Sequence, residues 1–276
     1  MPESVPSSEE LLEVAILAAR RAGALQQEAF RDQSLEVGEK GRNDFVTEVD
    51  RESERRIVET LQRRFPDHAV LGEEGGWVAG YEESAKASGS VRWIVDPLDG
   101  TTNFIQGLPY FCVSIACEVE GELEAACILD PIRGDLFSAR RGAGAFLGSR
   151  RLRIERESGV DGAFLATGFP FRAGESVLDP YLQSFRTLSL RVRGMRRCGA
   201  AALDLANTAA GIFDGFWEFR LSAWDVAAGV LLIREAGGVV SDVEGGQNFL
   251  ETGDILAGAP AVHRDLLEVM AAPVLV

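Results

Sequence analysis

The sequence predicts a mixed α/β protein, with an α+β half over residues 1–150 and an α/β half over residues 151–276. In the first half, segments with helical hydrophobic spacing are followed by apolar runs of strand length. After about residue 150, helical and strand-like segments alternate. A chain of 276 residues can form one large domain or two of moderate size, each with a buried core.

Two helices are predicted in the first half. Ser7 begins a capping-box pattern, and apolar residues then recur at helical spacing, with Gly23 as a candidate interruption. A second capping pattern begins at Thr47, and Pro66 ends the helix that follows.

A polar segment separates these helices. Residues 36–44 contain two glycines and mixed charges, which predict a mobile loop. Lys40 lies in this segment and is one of only two lysines in the chain, the other being Lys86.

Apolar runs predict the strands of the first half at residues 69–71, 91–95, 111–119 and 124–129. In the second half, strand-like segments are expected at residues 164–169, 191–196, 215–219 and 239–241. Helices are expected between them at residues 178–190, 200–211 and 225–236.

The chain is acidic, with 43 acids, 28 bases and a formal net charge of −15. This excess argues against a general binder of nucleic acid or anionic membranes, because both are polyanions. Residues 1–150 carry 27 of the acids against 16 bases, so carboxylates concentrate in the first half.

Four cysteines without a CxxC pair, and two distant histidines, argue against a structural zinc site. Cysteines so spaced predict reduced thiols and a cytoplasmic location. The polar start does not resemble a signal peptide, and no run of about 18 apolar residues predicts a membrane span.

The most informative segment follows the strand at 91–95. Asp96 and Asp99 are three residues apart, Pro97 restricts the turn between them, and the Leu98 carbonyl oxygen is available. Two carboxylates and a carbonyl on one turn suit Mg²⁺. Residues 100–102 then lead into a candidate helix start, whose free N–H groups favour a phosphate. The alternative is an Asx-turn with an aspartate helix cap.

Three other acids are informative only together with this segment. Glu73 lies in a Gly-Glu-Glu-Gly-Gly stretch, although a pair of glutamates is by itself typical of solvated surface. Asp225 follows Trp224 at a predicted helix start, where an N-cap is the common role. Asp50 is the third helical residue of a capping box.

Taken together, these segments resemble the inositol monophosphatase family of Mg²⁺-dependent, lithium-sensitive phosphatases. The similar segments are Gly72-Glu-Glu, Asp96-Pro-Leu-Asp-Gly-Thr-Thr-Asn-Phe and Trp224-Asp-Val-Ala-Ala-Gly. Further segments resemble the bacterial inositol-1-monophosphatases, among them Ala166-Thr-Gly-Phe-Pro-Phe and Asp214-Gly-Phe-Trp-Glu. The resemblance covers roughly residues 10–270.

The resemblance implies a layered α/β/α/β/α sandwich of the inositol monophosphatase and fructose-1,6-bisphosphatase type, and a homodimer. It implies two or three Mg²⁺ per site, with Li⁺ inhibitory. Residues 1–150 would carry most metal ligands, and residues 151–276 the substrate contacts and the last metal ligand.

The resemblance also assigns residues to roles. The implied metal ligands are Glu73, Asp96, the Leu98 carbonyl, Asp99 and Asp225. The implied catalytic residues are Glu73, Thr101, Asp50 and Lys40. The implied substrate contacts are Glu73, Leu98, Asp99, Gly100, Thr101, Arg196, Gly199, Ala200, Ala201, Glu218 and Asp225.

Inositol 1-phosphate is the predicted substrate, hydrolysed to inositol and phosphate by a metal-activated water. The family also acts on fructose 1,6-bisphosphate, 3′-phosphoadenosine 5′-phosphate, NADP and histidinol phosphate, and these remain alternatives. Glu218 favours a polyol hydroxyl over a second phosphate, because a carboxylate repels an anion.

A function of a different class is also open. Five arginines form a basic run that a regulatory RNA- or protein-binding module could use: Arg186, Arg191, Arg193, Arg196 and Arg197. Such a run is more typical of an exposed strand face or a subunit interface. Few aromatic residues interleave it, so stacking on single-stranded nucleic acid has little support.

Overall fold

The computed structural model describes residues 6–30, 37–41, 44–77, 91–170 and 175–271. Within these ranges, no helix combines the length and the apolar character that crossing a membrane requires.

The helices of the described residues are α1 (Ser8–Ala29), α2 (Glu48–Arg64), α3 (Thr101–Ile105), α4 (Glu175–Ser189), α5 (Ala201–Ala209), α6 (Ala223–Glu235), α7 (Phe249–Thr252) and α8 (Pro260–Ala271). The strands up to residue 130 are β1 (Val37–Gly41), β2 (Asp44–Thr47), β3 (Ala69–Gly72), β4 (Gly76–Trp77), β5 (Val91–Asp99), β6 (Cys112–Val119) and β7 (Glu122–Asp130). The later strands are β8 (Asp135–Arg140), β9 (Gly144–Leu147), β10 (Arg150–Arg151), β11 (Phe164–Thr167), β12 (Gly194–Arg196), β13 (Gly215–Glu218), β14 (Val239–Ser241) and β15 (Ile255–Gly258).

Two sheets organise the described part of the chain. The large sheet has eight strands in the order β10-β9-β8-β7-β6-β5-β3-β4, antiparallel except for the parallel pair β3 and β5. The small sheet has the order β12-β11-β13-β15-β14, with β12, β11 and β13 parallel and the other pairs antiparallel.

Helices fill the space between the sheets and cover both outer faces. Helices α1 and α2 pack on one face of the large sheet in a buried cluster that includes Leu11, Ile57 and Trp93. Helices α5 and α6 lie between the sheets, and α4 and α8 cover the outer face of the small sheet. The order of layers is α/β/α/β/α, which confirms the predicted fold class. The division at residue 150 stays a prediction.

The start signals of the first two helices are confirmed. The Ser7 hydroxyl accepts the Glu10 N–H at 3.2 Å, and Thr47 caps α2. Gly23 does not interrupt α1. It lies where the helix crosses β7, and a Cβ there would be 2.8 Å from Leu129 Cδ2, so the glycine serves close packing.

The predicted loop around Lys40 is wrong in its conformation. Strands β1 and β2 form an antiparallel hairpin that pairs Val37 with Thr47 and Gly41 with Asp44. The loop was predicted from the glycines and charges of this segment. The hairpin is held by hydrogen bonds between backbone groups, which the composition of the segment does not reveal. Lys40 lies on β1, and its side chain is outside the described residues.

Candidate metal centre and active site

The metal turn, defined as residues 96–99, occupies the end of β5. Asp96 is paired with Ser114 and Asp99 with Cys112, and the register of the ladder shifts between these pairs. Pro97 cannot donate to a ladder, which suits a bulge at this point. The Leu98 N–H donates to Asp96 Oδ1 at 3.0 Å.

A buried glutamine supports the metal turn from behind. Gln26 on α1 is fully buried and donates from Nε2 to the Pro97 carbonyl oxygen at 2.6 Å. The same amide lies 3.3 Å from Ser53 Oγ on α2. Sequence analysis did not find Gln26, because nothing in its neighbourhood along the chain reports the contact.

Asp225 reaches the metal turn from α6. Ser222 is the N-cap of this helix, and Asp225 at position N3 accepts the Ser222 N–H at 2.6 Å. The alternative interpretation of Asp225 as an N-cap is therefore wrong, because Ser222 is the N-cap and the helix begins at Ala223.

Three carboxylates converge here. One oxygen each of Asp96, Asp99 and Asp225 lies within 4.8 Å of the other two. Burial, together with repulsion between these carboxylates and from Glu73, raises the pKa of Asp96. Burial and the charge of Asp225 likewise raise the pKa of Asp99. Concentrated negative charge on hard oxygen donors fits a divalent cation of the Mg²⁺ type.

Glu73 completes this cluster from the turn between β3 and β4. Its N–H donates to the Val95 carbonyl oxygen at 3.2 Å, which ties the turn to β5 just before Asp96. A side-chain hydrogen bond between Glu73 and Asp96 also contributes to the raised pKa of Asp96.

The hydroxyl of Thr101 connects α2 to the metal turn. It lies 2.8 Å from Asp50 Oδ1 and 3.0 Å from the Leu98 carbonyl oxygen, and can donate its one proton to either. The Thr47 N–H and hydroxyl both donate to Asp50 Oδ2, which holds this carboxylate in place. Burial, opposed by these hydrogen bonds, raises the pKa of Asp50.

A cavity of about 380 Å³ opens onto the carboxylates. Its walls are formed by Glu73, Asp96, Leu98, Asp99, Gly100, Thr101, Thr102, Phe169, Pro170, Arg197, Gly199, Ala201, Glu218, Phe219, Arg220, Leu221 and Asp225.

Gly100 is required at the rim of this cavity for two reasons. Its φ is +93°, in the left-handed region, and a Cβ would lie 3.0 Å from the Tyr110 carbonyl oxygen. It caps α3, whose first N–H groups have no partner within the helix.

Most of the predicted substrate contacts reach the cavity. Gly199, Ala201 and Glu218 line it, whereas Ala200 is buried and would touch a Cβ at Gly100. The Ala202 N–H donates to Asp99 Oδ2 at 2.7 Å, so α5 is joined to the metal turn.

Arg196, predicted as a substrate contact, is not among the residues that line this cavity, and its role stays a prediction. Its guanidinium lies 4.7 Å from the Phe164 ring centre and donates to the Met195 carbonyl oxygen.

Arg197 lines the cavity instead. Burial and the nearby acids Asp204 and Asp225 raise the pKa of Glu218 well above its ordinary value, and the charge of Arg197 offsets part of this rise. The sequence predicted Arg196 and not Arg197. Successive residues at a strand end point to opposite faces, so neighbouring arginines do not share a position at the cavity.

The sequence profile of the inositol monophosphatase family matches residues 7–274. The chain belongs to the inositol monophosphatase family. A Pseudomonas aeruginosa protein named Nus factor SuhB is 51% identical over 259 residues, which are 93% of this chain and 94% of that protein. A Rhizobium meliloti inositol-1-monophosphatase is 45% identical over 265 residues, 96% and 97% of the two chains.

Solved structures agree with this assignment. The crystal structure of extragenic suppressor protein suhB from Bartonella henselae superposes with a TM-score of 0.88 at 40% identity, covering 95% of this chain and 98% of that one. As an inositol monophosphatase family member, the chain is a phosphatase of this fold. Its relatives carry two kinds of name, one for an enzyme and one for a Nus factor.

Proposed function

We propose that the protein is a Mg²⁺-dependent phosphomonoesterase that hydrolyses inositol 1-phosphate to inositol and phosphate. The observation that carries this proposal is the cluster of Asp96, Asp99 and Asp225, within 4.8 Å of one another, at the base of a cavity. Gly100 and Thr101, on the same cavity wall, begin a helix with free N–H groups.

Two or three Mg²⁺ would be held by Glu73, Asp96, the Leu98 carbonyl oxygen, Asp99 and Asp225, all of which line the cavity. When bound, Mg²⁺ lowers the pKa of a coordinated water and offsets the charge of a phosphate dianion.

The phosphate would bind where the N–H groups of Gly100 and Thr101 begin α3. Thr101 would also orient the attacking water. Because its hydroxyl can donate its proton to Asp50 Oδ1, a lone pair of the Thr101 oxygen stays available to accept a hydrogen bond from that water. Asp50, fixed by Thr47, would hold the Thr101 hydroxyl in this orientation.

Attack in line forms a bond from the water oxygen to phosphorus and breaks the ester P–O bond. The water proton passes towards Thr101 and Asp50, and the leaving alkoxide takes up a proton from solvent. Glu73 faces the same space and would help to hold the water. Lys40, assigned a role by the resemblance, stays a prediction.

Residues of the cavity wall beyond the carboxylate cluster favour a polyol substrate. Glu218 and the backbone of Gly199 and Ala201 offer acceptors and a donor for polyol hydroxyls. Initial rates with inositol 1-phosphate, fructose 1,6-bisphosphate, 3′-phosphoadenosine 5′-phosphate, NADP and histidinol phosphate test this preference, with and without Li⁺. A higher kcat/KM for any of the others would replace inositol 1-phosphate as the substrate.

Asp96→Asn tests the proposed reaction. We expect kcat/KM to fall by about 100-fold or more, because a cation ligand loses its charge while the fold is retained. Phosphate release at saturating Mg²⁺ measures the effect, and circular dichroism checks the fold. Asp179→Asn, at an exposed position of α4, is the matched control. Near-normal activity of Asp96→Asn would contradict the proposal.

A regulatory RNA- or protein-binding function is the second candidate, favoured by the Nus factor name of the Pseudomonas aeruginosa relative. Four arginines of the basic run are exposed, namely Arg186, Arg193, Arg196 and Arg197, whereas Arg191 pairs with Asp161 at 2.7 Å. A salt-dependent RNA mobility shift that persists in Asp96→Asn would support this candidate.

We also propose a cytoplasmic homodimer, as the resemblance implies. Light scattering after size exclusion should then give about twice the 29.8 kDa of one chain.

A further inference from the structure

A buried carboxylate outside the proposed ligand set contacts the Glu73 turn. Glu54 lies on α2, one helical turn after Asp50, and only 9% of it is exposed. Its Oε2 accepts the Glu74 N–H at 2.9 Å. Because the Glu73 N–H is already bonded to the Val95 carbonyl oxygen, successive amides of this turn are anchored to α2 and to β5.

The glycines around Glu73 and Glu74 are explained by the same carboxylate. Gly72 and Gly75 have no positive φ, so backbone conformation does not require glycine there, whereas Gly76 has a φ of +61°. A Cβ on Gly75 would lie 2.8 Å from Glu54 Oε1, and one on Gly72 would collide with Oε2. Both positions therefore leave room for the Glu54 carboxylate.

Helix α2 thereby holds two parts of the site on one face. Residues four apart in a helix are neighbours on its surface, so Asp50 and Glu54 point the same way. Asp50 bonds the Thr101 hydroxyl, and Glu54 bonds the turn that carries Glu73. A rigid helix thus sets the spacing between Thr101 and Glu73.

We propose that Glu54 is a positioning residue, which fixes the Glu73 turn so that the Glu73 carboxylate is aimed into the cation site. This inference rests on the proposed function, since it assigns Glu73 to cation binding. Glu54 acts through the Glu74 N–H, and its hydrogen bond rather than its charge produces the effect.

Glu54→Ala and Glu54→Gln separate the contribution of the Glu54 hydrogen bond from that of its charge. We expect Glu54→Ala to weaken Mg²⁺ binding by about 10-fold in calorimetry and to speed hydrogen exchange in a peptide spanning residues 72–77. It should raise the Mg²⁺ concentration needed for half-maximal activity more than it lowers kcat at saturating Mg²⁺. Glu54→Gln keeps an acceptor oxygen, so its Mg²⁺ affinity and its hydrogen exchange should be close to those of the wild type. Glu59→Ala, on the exposed side of α2, is the control.

Gly75→Ala supplies an independent test should Glu54→Ala fail to fold. The new methyl group should displace the carboxylate and reproduce the loss of Mg²⁺ affinity. In the Glu54→Ala background, Gly75→Ala should lower the Mg²⁺ affinity little further, because the carboxylate that it displaces is absent. Gly76→Ala is the control for additivity, since its strained φ does not depend on Glu54.

Two results would overturn the positioning role. One is a Glu54→Gln variant as impaired as Glu54→Ala, which would make charge the cause. The other is full additivity of Gly75→Ala with Glu54→Ala. If the wild type hydrolyses no phosphomonoester while exchange and Mg²⁺ affinity respond as expected, the proposed function fails and the positioning role stands.

Discussion

At the scale of single residues, backbone N–H groups hold one oxygen of each of the four aspartates of the candidate site. The backbone donors are Thr47 N to Asp50, Leu98 N to Asp96, Ala202 N to Asp99 and Ser222 N to Asp225. Three of these donors lie within three residues of their acid, so local motifs predict them. Ala202 is 103 positions from Asp99, and sequence analysis could not connect the two.

His68 is a residue whose pH dependence can be predicted away from the site. It stacks on Phe65 with ring centres 4.5 Å apart and accepts the Trp93 Nε1–H at 3.2 Å. Burial lowers the pKa of His68 from its ordinary 6.5 to about 4.

The lowered pKa of His68 makes the folded protein less stable at acidic pH. Below pH 6.5 the unfolded chain protonates His68 while the folded chain does not, so stability falls as the pH decreases towards 4. We expect the Tm of the wild type to fall more steeply than that of His68→Asn between pH 7 and pH 4.5. Thermal melts at matched salt measure this, and parallel curves for the two proteins would refute it.

At the scale of elements, α5 and α6 bring the second half of the chain to the metal turn. They pack closely because Gly229 on α6 faces Leu205 on α5. A Cβ at Gly229 would lie 2.6 Å from Leu205 Cδ1. The first turn of α6 carries Asp225, and α5 donates its Ala202 N–H to Asp99.

Gly229→Ala should therefore destabilise the protein, although alanine has the higher helix propensity by about 1 kcal/mol. The added methyl group must separate the two buried helices, and overpacking of this kind costs about 1–3 kcal/mol. Urea unfolding should show a lower midpoint. An unchanged or higher urea midpoint would contradict this prediction, because α5 and α6 could then move apart without loss of stability.

The starts of α1 and α2 were predicted from their side-chain caps Ser7 and Thr47, because such caps are local. Two other predictions were wrong. Strands β1 and β2 form a hairpin through backbone pairing, where residues 36–44 were predicted to form a loop. Helix α6 begins at Ala223, two residues before the predicted start, because Ser222 caps it.

At the scale of the whole molecule, part of the net charge of −15 is concentrated at the candidate cation site. Buried carboxylates that repel each other oppose folding, and a cation that binds only the folded chain stabilises it by mass action. The arrangement that serves the proposed activity therefore lowers the stability of the metal-free protein.

Asp96→Asn should consequently raise the Tm in EDTA, since it removes a carboxyl whose raised pKa reflects the cost of burying it beside other acids. Each kcal/mol gained corresponds to about 2–4 °C for a chain of this size. In Mg²⁺ the order should reverse, because the wild type gains more from the cation. Differential scanning fluorimetry with and without Mg²⁺ measures both. A variant less stable than the wild type in EDTA would show that the carboxylates do not oppose folding.

The sequence by itself determined the α/β fold class from local patterns, the caps of α1 and α2 from their capping boxes, and the layer order and candidate cation-binding acids from recognisable family motifs. Only the tertiary structure decided that Arg197 rather than Arg196 lines the cavity, and that Gln26 and Glu54 support the metal turn and the Glu73 turn. Such contacts join residues far apart in the chain. They depend on how helices and sheets pack, which no local pattern specifies.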